Sequence, residues 1–342
     1  MRAHLRTVVV LALAVFMLAW FLRGADLRAV WLEIRNGQLG LLVAAVLVTG
    51  CTYFFRALRW QYLLRPLGHA PLIEAFKTTV IGFAVSTLLP ARAGEVVRPY
   101  LLAKRAGFSF TSTFATIILE RLLDLVTVLL LFGFYLVCYN PVARAEHAAV
   151  FHALKSGGAF AAVGAIGGLS LMMLAAGHPE RLASWAQKVE RVLPTRVATA
   201  VAHVVRTFLL GLAIVRQPCR LASAGLLSLP LWLSIAGPIY LVSRAFHIDM
   251  SYTGAFLMMA ILVVGVAVPT PGSVGGFHKA YQVGAVAFFG VANDRAVGAA
   301  LVLHMISFLP VTIAGSIFLA QEGLSLSRVR DLAAPPAAED VS

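Results

Sequence analysis

An apolar run that contains three ionisable residues occupies Thr113–Cys138 and reads TFATIILERLLDLVTVLLLFGFYLVC. As a helix it is long enough to cross a bilayer core about 30 Å thick, which takes roughly 20 apolar residues. Glu120, Arg121 and Asp124 lie inside it, and each would cost roughly 2.5–3.5 kcal/mol near the centre of a lipid-facing helix. We therefore expect a membrane helix whose charged side chains face protein, water or a ligand headgroup.

The composition of the whole chain excludes a water-soluble globular protein. Of 342 residues, 60% are hydrophobic and 13% are charged, against about 45–50% and about 25% in ordinary soluble domains. In a soluble protein the net charge of +13 would indicate nucleic acid as a partner. Here the basic residues lie between apolar runs, so they indicate membrane topology, and we expect no nucleic-acid partner. The three cysteines form no C-x-x-C pair, so the sequence predicts no metal site and no cofactor.

Seven apolar runs are long enough for complete spans: Thr7–Leu22, Leu39–Phe55, Thr113–Cys138, Gly158–Ala176, Leu221–Ser243, Ser251–Val268 and Ala296–Ala320. Two more, Thr78–Leu89 and Tyr281–Val291, are about half as long. Each adjoins a Pro/Gly cluster, which is typical of a helix broken within the membrane. The sequence thus predicts an all-α polytopic integral membrane protein with about 7–8 transmembrane helices and two re-entrant or broken-helix elements.

The basic residues predict the orientation. A cytoplasmic N-terminus places most of them inside, including Arg56, Arg59, Arg92 and Arg98, so the positive-inside rule favours it. We predict a single transmembrane domain over residues 1–332 and a disordered tail at 333–342. The segment Tyr281–Val291 either crosses the membrane or returns to the side from which it entered, so the sequence leaves open on which side the C-terminus lies.

Two parts of the chain follow the same order of features. In the first, Leu89–Glu95 (LPARAGE) precedes the helix with Glu120 and Arg121; in the second, Val268–Gly272 (VPTPG) precedes a helix with His304. Such internal symmetry is typical of transporters that bind substrate between repeats. We expect two related halves, about 1–176 and about 207–332, joined by an amphipathic helix at about 177–206 on the cytoplasmic leaflet. A linker helix packed on the bundle is the alternative for that segment.

The acidic side chains of Thr113–Cys138 need a partner. Glu120 and Asp124 are four residues apart and share a helix face, whereas Arg121 lies about 100° around the helix. We therefore expect Arg121 not to neutralise both carboxylates at once, and we expect a partner from another segment, with Arg92 and Arg98 as candidates. A buried ion-pair network that only fixes helix packing is the alternative.

The first break carries a candidate phosphate site. Pro90 and Gly94 interrupt the helix, and Arg92, Glu95 and Arg98 follow one another at intervals of three residues. Guanidinium groups suit phosphate because they are planar, always charged and able to donate two parallel hydrogen bonds. A freed helix N-terminus adds partial positive charge. The alternative is that these arginines only mark the cytoplasmic side.

The second break carries further candidates. Its interrupting residues are Pro269, Pro271, Gly272, Gly275 and Gly276. His278 and Lys279 follow, and we consider them as headgroup ligands or proton carriers, with a packing role as the alternative for the histidine. For His304 we expect a hydrogen-bonded structural role, because no acidic residue lies near it in sequence. The chain has no H-E-x-x-H, G-x-S-x-G or P-loop motif, so the sequence favours a protein that is not an enzyme but leaves that question open.

These motifs resemble one known family. The stretch LPARAGEVVRPYLL followed by ILERLLDL, and later PTPGSVGGFHKAY, resembles the lysylphosphatidylglycerol synthase transmembrane-region family over roughly residues 5–322. The family's patterned positions in this chain are Pro90, Arg92, Gly94, Glu95, Arg98, Glu120, Arg121, Asp124, Pro269, Pro271, Gly272, Gly275 and Gly276. This chain departs from the pattern at Met305, where related chains often have arginine.

The resemblance implies a polytopic helical protein that binds or moves lipids in the bacterial inner membrane. We therefore expect a lipid transporter or flippase that binds an anionic or phosphate-containing headgroup between the two breaks. The alternatives are an intramembrane enzyme acting on a lipid or polyprenyl-phosphate and an accessory subunit of a separate lipid-modifying synthase. The expected partner is a membrane lipid; a lipid-modifying enzyme and a homodimer stay open.

Overall fold

The computed structural model describes residues 12, 15–89, 92–139, 148–177, 204–267 and 270–323. Within these ranges the chain is helical and contains no strand, which confirms the predicted all-α class. The α-helices are α1 (15–22), α2 (Leu27–Arg35), α3 (Leu39–Leu64), α4 (Leu72–Leu88), α5 (Gly94–Ala106), α6 (Phe110–Tyr139), α7 (Ala148–Gly177), α8 (204–211), α9 (Pro218–Ala245), α10 (Gly254–Ala267), α11 (Gly276–Phe289) and α12 (Asn293–Gln321).

Several predicted features lie outside the described residues. They are Pro90, Pro269, the start of the first predicted span, most of the amphipathic helix at 177–206 and the tail at 333–342.

Within the described ranges, four helical segments are long and apolar enough to cross a membrane: Leu39–Leu64, His152–Leu174, Pro218–Ala245 and Asn293–Gln321. Together with the helical structure of the described residues, they indicate a helical membrane protein. The total of seven to eight spans stays a prediction.

The expectation of a complete span at Ser251–Val268 was wrong. The helix there, α10, runs over Gly254–Ala267 and has 14 residues, so it is about 21 Å long and falls short of a bilayer core about 30 Å thick. It begins late because the Ser251 hydroxyl oxygen accepts a hydrogen bond from the Gly254 backbone N–H at 3.0 Å. A prediction from hydropathy alone includes residues 251–253 in the span, but this cap keeps them outside the helix.

Short helices flank each break and pack against each other. α4 lies along α5, and α10 lies along α11. A Cβ atom added to Gly94 would lie 1.7 Å from the Gly82 carbonyl oxygen, and one added to Gly265 would lie 2.6 Å from the Gly276 carbonyl oxygen. Only glycine permits such backbone contact. Each break therefore joins two helices that approach at a glycine.

The helix order repeats along the chain. α3, α4, α5 and α6 have 26, 17, 13 and 30 residues, and α9, α10, α11 and α12 have 28, 14, 14 and 29. The two most extensive helix contacts, α3 with α9 and α4 with α12, join one series to the other. The interface between the two series therefore contains much of the packing, and both breaks lie beside it.

Candidate functional site

A buried ion cluster surrounds the two carboxylates of α6. Glu120 is fully buried, and Arg98 of α5 donates to both of its oxygens, from Nη1 to Oε1 at 2.9 Å and from Nη2 to Oε2 at 3.1 Å. This bidentate geometry is the strong form of an arginine–carboxylate pair. Of the two candidate partners, Arg98 thus binds the acidic face.

Arg56 and Arg59 of α3 complete the cluster, although the sequence analysis placed both on the cytoplasmic side. Arg59 Nη1 lies 2.7 Å from Asp124 Oδ1, while Arg56 Nη1 lies 3.6 Å from Glu120 Oε1 and 3.5 Å from Asp124 Oδ2. Both arginine side chains are at least 92% buried. These two arginines thus lie inside the protein, because α3 continues to Leu64 and carries them there; the cytoplasmic side of this end of α3 stays a prediction.

The sequence held one signal that could have revealed this pair. Arg56 and Arg59 are three residues apart and follow the apolar run without an intervening Gly or Pro, so they share a face of one continuous helix. The role of Trp232 had no such signal. Its indole Nε1 on α9 donates to Asp124 Oδ1 at 2.9 Å, which brings both helix series to one carboxylate.

Arg121 reaches both carboxylates, contrary to expectation. Its Nη1 lies 3.4 Å from Asp124 Oδ2 and its Nη2 lies 3.4 Å from Glu120 Oε1. The long arginine side chain bends across the angle that separates it from the acidic face. Its Nε also lies 3.9 Å from Glu95 Oε1, and 38% of the side chain is exposed. Arg121 therefore connects the buried cluster with Glu95.

Arg92 joins the two breaks instead of binding the acidic face. Its backbone has a φ of 53°, an uncommon conformation for a residue other than glycine. Its Nη2 donates to the Val266 carbonyl oxygen at 2.9 Å, one of the last carbonyls of α10, which have no partner within their own helix. Arg92 Nη1 also lies 3.9 Å from Glu95 Oε1. The expectation that Arg92 pairs with α6 was therefore wrong.

A cavity of about 420 Å³ lies between the two breaks. Among the residues that line it are Arg56, Arg92, Gly94, Glu95, Arg98, Arg121, Asp124, Trp232, Thr270, Gly272, Ser273 and Phe277. Five of the predicted ligand residues thus share one cavity: Arg92, Glu95, Arg98, Arg121 and Asp124. Glu120 is fully buried and supports Arg98 from outside the lining. The rest of the lining is largely apolar, with aromatic side chains such as Tyr53 and Phe83.

His278 and Lys279 are not among the residues that line this cavity, so their predicted role as headgroup ligands has no support in its geometry. His278 Nδ1 accepts a hydrogen bond from the Gly275 backbone N–H at 3.2 Å, which caps the start of α11. Lys279 Nζ donates to Gln282 Oε1 at 2.9 Å and lies 5.3 Å from the Trp20 ring centroid. The contacts of these two residues therefore stabilise the structure that follows the second break.

His304 has the structural role expected of it. Its Nε2 donates to the Gly272 carbonyl oxygen at 2.7 Å. Gly272 has a φ of 57°, which favours glycine. The histidine therefore holds the second break in an irregular conformation against α12. Pro271, Gly272, Gly275 and Gly276 all lie at this break, between α10 and the first turn of α11.

The cluster contains more guanidinium donors than its carboxylates accept. The Nε atoms of Arg56, Arg59, Arg98 and Arg121 are buried without a hydrogen-bond partner, as are Arg56 Nη1 and Arg59 Nη2. A buried donor without a hydrogen bond is costly, and here each of the four guanidinium groups has a carboxylate within 4 Å but not enough acceptors for all of its nitrogens. In the described part of the chain, no group of three or more His, Cys, Asp or Glu side chains is placed to hold a metal ion. With four arginines against two carboxylates, the cluster has an excess of positive charge.

Comparison with known proteins gives two matches. The family model for the lysylphosphatidylglycerol synthase TM region matches residues 7–315. A protein of Haloferax volcanii named glycosyltransferase AglD is 26% identical over 333 residues, which covers 90% of this chain and 53% of that protein. The chain thus spans about half the length of the curated relative that it matches.

Proposed function

The chain belongs to the lysylphosphatidylglycerol synthase TM region family, and from this premise we propose that it binds a phosphate-containing lipid headgroup in the cavity between its breaks and moves that lipid across the membrane. The family and the apolar helices support the more general conclusion that the protein acts in a membrane and that its function involves lipids.

The excess of arginines over carboxylates beside the cavity carries the proposal. Arg56, Arg98 and Arg121 all line the cavity, and they belong to a cluster in which four arginines face the two carboxylates Glu120 and Asp124. Ionisable residues inside a membrane protein usually mark a site or a pathway, because a purely structural role can be filled at lower cost. A bound phosphate would supply negative charge to the arginines that line the cavity.

The apolar part of the lining suits the glycerol and upper acyl region of a lipid. We propose that α4–α5 and α10–α11 are the re-entrant elements, entering the membrane from opposite halves of the protein and meeting at the Arg92–Val266 contact. The headgroup would cross through the cavity while the acyl chains stay in the surrounding lipid. Rocking of one helix series against the other would open the cavity to each side in turn.

Transport is tested in liposomes that contain the purified full chain and a trace of fluorescent phosphatidylglycerol. Dithionite bleaches only probe in the outer leaflet, so a lipid transporter increases the bleached fraction. We expect an increase with the wild type and its loss in Arg98→Ala and Glu120→Gln. The matched control is Arg244→Ala, because Arg244 is half exposed and lies 3.6 Å from the exposed Asp249.

The proposal is wrong if both cluster variants are recovered in wild-type amounts and transport at the wild-type rate. A variant that is not recovered folded is replaced by Arg121→Gln, because that side chain is 38% exposed and its loss perturbs packing less.

The glycosyltransferase name of the relative favours a second candidate. Since the chain matches about half of that protein, it could present a lipid carrier to a separate lipid-modifying enzyme rather than move it. Lipid retained by the purified protein without any transport in liposomes would support this candidate. The bacterial inner membrane, the cytoplasmic N-terminus, the two related halves and a homodimer stay predictions.

A further inference from the structure

A second cavity lies between α3 and α9. It measures about 470 Å³ and shares no lining residue with the cavity between the breaks. Its walls are three residues of α3 between Leu58 and Tyr62, the α3 C-cap Arg65, and three residues of α9 between Ser223 and Leu227. Their spacings of three and four residues place each set on one face of its helix. The cavity is therefore a groove between two neighbouring helices, and we call it the α3–α9 groove.

One end of the α3–α9 groove lies near a membrane surface. Arg59 donates to Ser228 at 2.8 Å and Thr52 donates to Ser234 at 3.0 Å, so α3 and α9 run antiparallel. The last turn of α3 therefore lies beside the first turns of α9. Both helices are candidate spans, and the ends of a span lie near the lipid headgroups.

The polarity of the groove changes with depth. Arg65 and Ser223 lie at the end near the membrane surface, whereas Leu58 lies about 10 Å deeper along α3. Leu226 and Leu227 continue the apolar part on α9, and Leu226 is 66% exposed. A glycerophospholipid has the same order of groups, with its charged phosphate at the membrane surface and its apolar chains below. The groove thus matches one lipid in both polarity and orientation.

The polar end of the groove is rich in positive charge. Arg65 is exposed, and its guanidinium carbon lies 4.7 Å from the Tyr62 ring centroid, a cation–π contact that keeps the charge beside the groove. Arg220 precedes Ser223 by three residues, so the two share a face of α9. Arg216 lies two residues before the helix, and both of these arginines are exposed. Three guanidinium groups are therefore available near the position of a lipid phosphate.

These three arginines have no acidic partner among the residues that the structure describes. The carboxylates Glu74 and Glu322 both pair with Arg105 instead. Guanidinium groups bind phosphate through charge-assisted hydrogen bonds, and basic pockets between helices at a membrane surface bind anionic headgroups. A zwitterionic lipid would add a cation beside three unpaired arginines. The charge of this end thus favours an anionic lipid.

We propose that the α3–α9 groove binds an anionic glycerophospholipid of the surrounding leaflet, with its phosphate at Arg65 and Arg220 and an acyl chain along Leu58 and Leu226. This second lipid site is separate from the cavity between the breaks and does not depend on transport. The bound lipid bridges α3 and α9, which form one of the two most extensive contacts between the helix series.

The test places a fluorophore beside the groove of the full chain. The three native cysteines are exposed and are replaced by alanine, and Leu226→Cys is then labelled with bimane. The labelled protein is reconstituted in phosphatidylcholine vesicles that contain increasing fractions of dibrominated phosphatidylglycerol or dibrominated phosphatidylcholine. Bromine quenches the fluorophore on contact, so the two quenching curves give the preference of this position for the anionic lipid.

The matched position is Ile313→Cys in the same cysteine-free chain. Ile313 on α12 is 52% exposed and lies as many residues from Gln321 as Leu226 lies from Pro218. An arginine near a membrane surface strengthens the binding of an anionic lipid about fivefold. We therefore expect a preference for phosphatidylglycerol of about fivefold or more at position 226 and a preference close to one at position 313.

Two variants separate charge from shape at position 226. The double variant Arg65→Gln and Arg220→Gln removes two charges and should lower the preference to the value at position 313. Arg244→Gln, at the opposite end of α9, is the control and should leave the preference unchanged. Ser223→Trp keeps the arginines but fills the groove, so it should also abolish the preference. If Ser223→Trp is not recovered as monodisperse protein, Ser223→Leu takes its place.

Three results would overturn the proposal. Equal preferences at positions 226 and 313 would mean that the groove does not select anionic lipid. An unchanged preference in the double arginine variant would mean that these arginines do not hold the phosphate. A preference that survives Ser223→Trp would mean that exposed arginines attract anionic lipid without a groove. None of these results bears on the central cavity, so failure of this proposal is distinguishable from failure of the proposed function.

Discussion

Replacement of Glu120 by glutamine is the sharpest test of the buried cluster. Glu120 Oε1 lies 2.9 Å from Arg98 and within 3.6 Å of Arg56, Arg59 and Arg121. The glutamine keeps the shape of the side chain but removes the carboxylate partner of Arg98 and leaves Arg56, Arg59 and Arg121 facing Asp124. Because removal of one member of a buried ion pair costs about 3–5 kcal/mol, we expect the free energy of unfolding to fall by about that amount.

The measurement is reversible unfolding in mixed detergent micelles, followed by circular dichroism. The single variants Glu120→Gln and Arg98→Gln are compared with the double variant, which removes one charge of each sign and so restores the wild-type balance. We expect the double variant to lose less stability than the sum of the single variants. The matched control is Glu33→Gln, whose pair with Arg295 is partly exposed and should contribute no more than about 1 kcal/mol.

Two results would refute this reasoning. One is a Glu120→Gln protein as stable as the Glu33→Gln protein, which would mean that the carboxylate does not compensate the buried arginines. The other is a double variant at least as unstable as the sum of the single variants, which would mean that Glu120 and Arg98 act independently.

Two further predictions concern packing around the site. Gly94→Ala places a Cβ atom 1.7 Å from the Gly82 carbonyl oxygen, so we expect α4 and α5 to separate and the yield of monodisperse protein in gel filtration to fall sharply. The control is Gly133→Ala, whose Cβ atom meets nothing within 4 Å and which should give the wild-type yield. Equal yields for the two variants would contradict the close approach of α4 and α5. Trp232→Phe removes the donor to Asp124 Oδ1, and we expect the free energy of unfolding in detergent to fall by about 1.5–3 kcal/mol; no loss would show that the hydrogen bond adds nothing beyond the arginine contacts.

Helix formation and helix interruption were readable from the sequence because both depend on neighbouring residues. The run Thr113–Cys138 predicts a helix, and the observed helix, Phe110–Tyr139, is only slightly longer. The first Pro/Gly cluster predicts the break between α4 and α5, and the second predicts the break between α10 and α11. Where the prediction was wrong, at Ser251–Val268, the cause was again local: a serine cap that hydropathy does not register.

The sequence predicted only some of the ion-pair partners of Glu120 and Asp124. The sequence identified Glu120 and Asp124 as residues that need a partner and proposed Arg98, which the structure places on Glu120. It did not identify Arg56 and Arg59, because the positive-inside rule treats basic residues near the end of an apolar run as marks of orientation.

The sequence by itself therefore determined that this chain is a helical membrane protein with two breaks and with charges that cannot face lipid. Backbone hydrogen bonding and the apolar solvent leave few other solutions for such a composition. Only the tertiary structure decided that α3 brings Arg56 and Arg59 to α6, that Trp232 meets Asp124 and that Arg92 ties one break to the other. Those contacts join residues from 65 to 174 positions apart, and their geometry depends on how the helices pack, which no local pattern encodes.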